Sequence, residues 1–168
     1  MKNPDFWKQH YVIETDVNAI ESSIQVTSFA SAGKRFELPY FIRGANAPNI
    51  LISQGSGGHS YVFAELGYQM HLKGYNVFIM PKHGGYTVNQ LLQRHTDALN
   101  HIATNFNENI GVYSEGLGGY VIFYLALAHG PVKSIVCQNS PAIMTESAYH
   151  EALMNDSGPW AVTAQRRK

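Results

Sequence analysis

Two glycine-rich strings hold the residues of this chain best suited to chemistry. One is Gln54-Gly55-Ser56-Gly57-Gly58-His59, and the other is Tyr113-Ser114-Glu115-Gly116-Leu117-Gly118-Gly119. Glycines at this spacing let a backbone turn sharply and let a strand and the helix after it come into close contact. Ser114 offers a hydroxyl, which attacks a carbonyl only when a neighbouring base activates it. His59 and His83 are the imidazoles in the loops nearest to these strings. Plainer roles stand beside each: Ser114 filling a tight spot at the start of a turn, and His59 and His83 as surface or hydrogen-bonded histidines. The chain's eight histidines are scattered, without an H-x-x-x-H pair, so no structural metal site is expected. Cys137 is the single cysteine and cannot form an internal disulfide. It is expected as a small core residue rather than a reactive thiol.

The elements that must position these strings follow from the pattern of apolar residues. Alternation over Ile24 to Phe29 and over Phe36 to Ile42, around Ser31-Ala32-Gly33-Lys34, predicts an antiparallel hairpin. Ile50-Leu51-Ile52-Ser53 is a short continuous apolar run, the signature of a strand buried on both faces, and the first glycine-rich string follows it. Ser60 is placed to cap the next helix, with Val62, Leu66 and Met70 on its inner face and Gly74 closing it. Val77-Phe78-Ile79-Met80 is the next strand, ended by Pro81. Thr87 and Gln90 form a capping-box pattern ahead of Val88, Leu91, Leu92, His95, Leu99, Ile102 and Phe106 at helical spacing. A strand over Ile110 to Tyr113 leads into the second glycine-rich string. An apolar helix from Gly118 to His129, closed by Gly130-Pro131, and a strand from Ser134 to Gln138 complete the pattern. Asn3 to Val12 is expected as an arm packed on the surface. After Asn139 the pattern weakens to one helix near Thr145 to Asn155.

Strand and helix in this rhythm predict an α/β fold: a three-layer α/β/α sandwich on a mostly parallel sheet, with the hairpin at its N-terminal edge. The 168 residues, 45% of them hydrophobic, suffice for one domain over 1–168. Twelve Lys plus Arg balance twelve Asp plus Glu, so no basic field attracts nucleic acid or anionic lipid. The longest apolar runs, such as Val121 to Ala128, fall well short of the roughly 20 residues that span a bilayer, and the N-terminus lacks an apolar leader. A cytoplasmic protein without membrane or nucleic-acid partners is the expectation. In such a sheet, ligands sit at the carboxyl ends of the strands, which places the loops after Ser53, Met80, Tyr113 and Gln138 at the centre of interest. A dinucleotide site built on Gly55-x-Gly57 is disfavoured, because the following strand ends in Met80-Pro81 and not in a ribose-binding acid.

The turn Ser114-Glu115-Gly116-Leu117-Gly118-Gly119 resembles the nucleophile elbow of the α/β-hydrolase superfamily, in its esterase and serine-aminopeptidase-like branches. Its usual form is G-x-S-x-G with a further glycine. Matching Gly118-Gly119 to the terminal pair puts Gly116 at the nucleophile position and Ser114 at the first small position, so the usual Gly and Ser are exchanged. Gln54-Gly55-Ser56-Gly57-Gly58 looks like the superfamily's H-G-x-G-G loop, with Gln54 in the place of histidine. Pro81-Lys82-His83-Gly84-Gly85-Tyr86 is similar to its loop after the next strand. The resemblance runs from about Ile24 to Ala142.

By this resemblance the backbone N–H groups of Ser56 and Leu117 are the oxyanion donors, and Gln54, Gly55, Gly57, His59 and His83 belong to the pocket loops. Intact relatives would hydrolyse an ester or amide through an acyl-enzyme, with neither metal nor organic cofactor. Gly116 has no side chain with which to attack, and Ser114 is the alternative nucleophile. The superfamily's order of nucleophile, acid and histidine leaves only Glu146, Glu151, Asp156 and His150 downstream, all in or beside one weak helix. Two readings follow: a serine-hydrolase relative of doubtful activity, or an inactive pseudo-hydrolase that binds a small acyl or ester ligand or a partner chain. The length matches the first part of a larger fold, with 143–168 as the start of a lid. The sheet edge at 134–138 is expected to promote self-association.

Overall fold

The computed structural model describes residues 3–13, 15–55, 58–127 and 132–139. Six strands form one sheet: β1 (Gln25–Ser31), β2 (Lys34–Phe41), β3 (Asn49–Ser53), β4 (Asn76–Ile79), β5 (Ile110–Glu115) and β6 (Val132–Gln138), in the order β1-β2-β4-β3-β5-β6. β2 is antiparallel to β1 and to β4, while β4, β3, β5 and β6 run parallel. The expected hairpin and the mostly parallel sheet are both present. The strands of the hairpin reach further than the alternation predicts, because Ser31 pairs with Lys34 and the turn is only Ala32-Gly33. Both turn residues have positive φ, +46° and +73°, the geometry whose twist matches that of the flanking strands.

Crossover helices cover the two faces. α3 (Ala64–Leu72) joins β3 to β4 on one side, and α4 (Val88–Asn105) and α5 (Leu117–Leu127) follow β4 and β5 on the other. Alternate residues of the strands feed two cores. Leu51, Phe78, Ile110 and Val112 pack with Leu91, Leu99, Ile102, Val121 and Ile122 in the larger core. Ile52, Val77 and Ile79 pack with Ile20, Phe41 and Ala64 in the smaller. α4 starts as its sequence predicts: the Thr87 hydroxyl accepts from Gln90 N–H, and the Gln90 side chain accepts from Thr87 N–H.

The start of α3 differs from expectation. A 3-10 turn, Ser60–Phe63, precedes it, and its cap is the His59 imidazole, which accepts from Tyr61 N–H. Ser60 instead donates its hydroxyl to the Met80 carbonyl at 3.0 Å, because it is buried against the end of β4. The innermost residues of α3 are Ala64, Glu65 and Gly67, with Leu66 and Met70 packed at the margin, since small residues let the helix lie close to the sheet.

The N-terminal arm forms α1 (Pro4–Lys8) and then α2 (Val17–Ser23), which the sequence pattern did not suggest. α2 is capped by Asp16 and buries Val17 and Ile20. The Glu65 carboxylate pins the arm by accepting from the N–H groups of Val12 and Ile13 and from the Thr15 hydroxyl, at 2.7–3.2 Å. Trp7 of α1 stacks on His59, with centroids 4.5 Å apart.

β6 departs from the buried strand expected. Its residues are half-buried or exposed, Val136 is 60% exposed, and Cys137 is only half-buried. The end of the helix expected to reach His129, and the segments at 140–142, 143–168 and 145–155, lie outside the described residues.

Candidate functional site

β3, β4, β5 and β6 all direct their carboxyl ends to one edge of the sheet, where the glycine-rich strings meet. β5 passes into α5 through a single residue, Gly116, whose φ of +52° lies in the left-handed region. Its N–H donates to the Gln138 carbonyl at 3.2 Å. Gly55 runs alongside: a Cβ at Gly116 would lie 3.7 Å from Gly55 Cα, and one at Gly55 would lie 3.8 Å from the Glu115 carbonyl. The two strings thus run past each other with room for about one methyl group between their backbones.

Gly118 is under a harder constraint. A Cβ there would come within 2.7 Å of the Gln54 carbonyl and nearer still to the Ser53 carbonyl, so only glycine lets α5 cross the end of β3 at this distance. Leu117 is the first residue of α5, where an N–H has no intrahelical acceptor, and its side chain packs on the larger core. Ser56 and Gly57 lie outside the described residues.

Gln54 is fully buried. Its Nε2 donates to the Met80 carbonyl at 2.7 Å, while its Oε1 has no partner. A Cβ at Gly58 would sit 2.6 Å from that oxygen, so the loop has folded back tightly over it. His59 lies at the rim, stacked under Trp7, its pKa lowered by burial and by Lys82.

Ser114 is completely buried and faces β6. Its hydroxyl is 3.2 Å from the Val136 carbonyl and 3.1 Å from Cys137 Sγ. A hydroxyl held inside the sheet is not aimed at a ligand above the strand ends. His83 is likewise sealed rather than set in an open pocket. It joins Ser53 and His95 in a buried cluster behind the turn.

The protons of that cluster can be placed from its carbonyl partners. His95 Nδ1 is 2.8 Å from the Leu91 carbonyl and His83 Nδ1 is 3.1 Å from the Pro81 carbonyl; a carbonyl only accepts, so each Nδ1 bears the proton. The Ser53 hydroxyl then donates to His95 Nε2 at 2.8 Å, and His83 Nε2 faces the same oxygen at 3.4 Å. Burial holds both imidazoles neutral. It lowers the His95 pKa to about 4, against the opposing hydrogen bond to Leu91. It holds His83 well below the usual histidine value, helped by His95 and Arg94.

Solved structures share this architecture. A thermostable carboxylesterase cloned from a metagenomic library matches with a TM-score of 0.65 at 15% identity, over 86% of this chain and 54% of its own. A hyperthermophilic esterase from Pyrobaculum calidifontis matches with 0.60 at 15% identity, over 86% and 61%. The chain has the α/β-hydrolase fold. An epoxide hydrolase from Vigna radiata shows it too, with a TM-score of 0.61 at 16% identity over 73% of this chain and 40% of its own. The chain therefore spans 40% to 61% of the length of these α/β-hydrolase-fold structures. No protein-family model matches the chain. No curated protein matches it either.

Within the α/β-hydrolase fold the sequence reading located the two glycine-rich turns but missed the residues behind them. Ser53 reads as the last letter of a strand, and His95 as one more position on the stripe of α4. The available signal was chemical: an imidazole on an apolar stripe needs a buried partner. Among the described residues no group of three or more His, Cys, Asp or Glu is arranged to hold a metal ion. Among them, too, no helix is long and apolar enough to cross a membrane.

Proposed function

We propose that this chain is an esterase-like protein of the α/β-hydrolase fold that binds a small acyl or ester ligand at the carboxyl ends of its parallel strands without forming a serine acyl-enzyme. The observation that carries the reading is Gly116. It occupies the one-residue turn between β5 and α5 with φ +52°, against Gly55 and one residue before Leu117. This is where a nucleophile elbow holds its reactive side chain, and glycine supplies no oxygen or sulfur. Ser114, hydrogen-bonded into β6, offers no substitute. What is left is polarisation and binding: backbone N–H groups of Leu117 and Ser56 to receive a carbonyl oxygen, over a floor of bare glycine backbone.

The test pairs a serine-reactive fluorophosphonate with hydrolysis of a short-chain activated ester. The chain as it stands should neither label nor turn over. Labelling that disappears in Ser114→Ala would overturn the reading. Combining Ser114→Gly with Gly116→Ser should not restore turnover, because the ring nitrogens of both buried imidazoles are already engaged by Pro81, Leu91 and Ser53. Binding is checked separately by saturation-transfer NMR with neutral ethyl butyrate. Gly116→Asn, which tolerates the left-handed backbone and fills the space above the turn, should abolish the signal without unfolding the protein.

Self-association through β6 belongs to the same proposal. β6 is the outermost strand among the described residues, and Val136 is 60% exposed on it. An open edge of this kind recruits a further strand. Light scattering should show concentration-dependent dimers; a clean monomer at all concentrations would remove this part.

A further inference from the structure

Away from the strand ends, the turn of the β1–β2 hairpin and the first turns of α4 enclose a cavity of about 80 Å³, lined by Ser31, Lys34, Phe36, Tyr86, Gln90 and Arg94. Its polar side chains are unusually short of partners. Arg94 is 2% exposed, and its guanidinium packs against the rings of Phe36 and Tyr86, at 4.6 and 4.4 Å from their centroids. Nη2 donates to the carbonyls of Pro81 and Lys82 at 3.0 and 2.9 Å, while Nε and Nη1 are buried with no acceptor. Ser31 is 3% exposed, and its hydroxyl too is buried without a partner. The Lys34 ammonium completes the lining, 6.0 Å from the centroid of the Tyr86 ring.

A buried guanidinium with idle N–H groups is costly, because desolvation of the charge is offset only by hydrogen bonds and an opposite charge. Here the aromatic rings supply part of that compensation, two carbonyls another part, and the Tyr86 side chain, which favours the charged guanidinium, a third. The groups still idle are two N–H donors of Arg94 and the Ser31 hydroxyl, with the exposed Lys34 ammonium at the mouth, a set that selects an oxygen acceptor bearing negative charge. A cavity of about 80 Å³ has room for a few waters and so for a small oxyanion. We propose that this cavity is a binding site for a small oxyanion, a short carboxylate or inorganic phosphate, held by Arg94, Ser31 and Lys34.

The site is separate from the acyl site and does not rest on it. It has one structural link to that edge of the sheet: the carbonyls that Arg94 holds belong to the loop bearing His83. An anion that draws on the guanidinium therefore pulls on the same side chain that fixes this loop.

The test is calorimetric titration of the full chain with sodium acetate and with sodium phosphate, each against chloride at constant ionic strength. Amide chemical shifts of Ser31, Ala32, Lys34 and Tyr86 locate the binding. One saturable site with shifts at those residues is expected for at least one of the two anions, and which one saturates identifies the geometry preferred. Ser31→Ala should weaken binding roughly tenfold or more, the worth of one hydrogen bond to a charged ligand. It should leave the unliganded protein as stable as before or more so, since it deletes an unsatisfied hydroxyl. Lys34→Gln should weaken binding roughly two- to fivefold, as a partly solvated charge does. Arg94→Lys tests the main donor but also removes the clamp on the loop, so the first two variants decide. Heats indistinguishable from those of chloride, or binding unchanged in both Ser31→Ala and Lys34→Gln, would overturn the proposal.

Discussion

The two ends of the central parallel strands are built on opposite principles. At the amino ends, three asparagines close every valence they present. Asn76, opening β4, accepts at Oδ1 from the N–H groups of Arg43 and Gly44 and donates at Nδ2 to the Gly44 and Ala47 carbonyls and to Asn49 Oδ1. Asn49, opening β3, donates to the backbone carbonyl and side chain of Asn107. Asn107, ahead of β5, donates in turn to the Ala45 and Ala47 carbonyls. At the carboxyl ends the backbones approach on bare glycine, Gly116 and Asn139 sit at positive φ, and Gln54 Oε1 is buried with no partner. A network that is fully satisfied fixes geometry and has nothing to offer a ligand. An edge left tight and under-satisfied still has groups to offer, and it is there that we propose recognition is located.

The contrast can be broken most severely at the closed end. Asn76→Ala leaves Arg43 N–H, Gly44 N–H and their facing carbonyls without a side-chain partner and should cost about 4 kcal/mol, at roughly 1–3 kcal/mol for each buried group left unsatisfied. Urea denaturation gives the value; a loss under 1 kcal/mol would mean that the asparagine network is ornamental. Next is Gly118→Ala, whose methyl meets the backbone of β3 and cannot be relieved by rotating a side chain. Overpacking of this kind should cost about 3 kcal/mol, and it should be seen as a lowered denaturant midpoint.

Acid comes third. The folded pKa values of His95 and His83 are depressed, so the unfolded chain binds more protons than the native one between about pH 4, where buried His95 titrates, and the ordinary histidine value of 6.5. Stability is therefore full above that window and is lost as pH falls through it, His95 alone contributing about 2 kcal/mol of loss by pH 5. His95→Gln should flatten the dependence, and an unchanged slope in this variant would show that the imidazole is not held neutral. Smallest is Gly116→Ala, with the new methyl in ordinary van der Waals contact with Gly55 and only the left-handed φ to oppose it. It should cost about 1 kcal/mol, well below Gly118→Ala although the two are neighbours. If the two glycines proved equally sensitive, strain and crowding could not be told apart at this turn.

Much of the architecture was legible because its signals are local. The capping box at Thr87 and Gln90, the alternation on either side of Ala32-Gly33 and the apolar runs of β3 and β4 all act within a few residues of themselves. α2 was not legible, since seven residues give too few turns for a period to emerge. Nor was the role of Ser60, which is set by a carbonyl twenty residues away. The positions of the glycine-rich turns were readable, but not their surroundings. Arg94 and His95 are adjacent polar residues on the buried face of an amphipathic helix. What each does depends on Pro81, Lys82 and Ser53, which only the folded crossovers bring near. β6 was misjudged for a related reason: an apolar strand is buried only if something lies against it, and composition does not say what does.

The stack of Trp7 on His59 ties the N-terminal arm to the rim of the glycine-rich loop, and Glu65 anchors the same arm a few residues on. The loop after β3 and the arm are therefore one mechanical unit, and the indole ring is its optical gauge. Any shift of His59 on binding a ligand changes the environment of Trp7, so the protein carries an intrinsic fluorescent reporter at the rim of its candidate site.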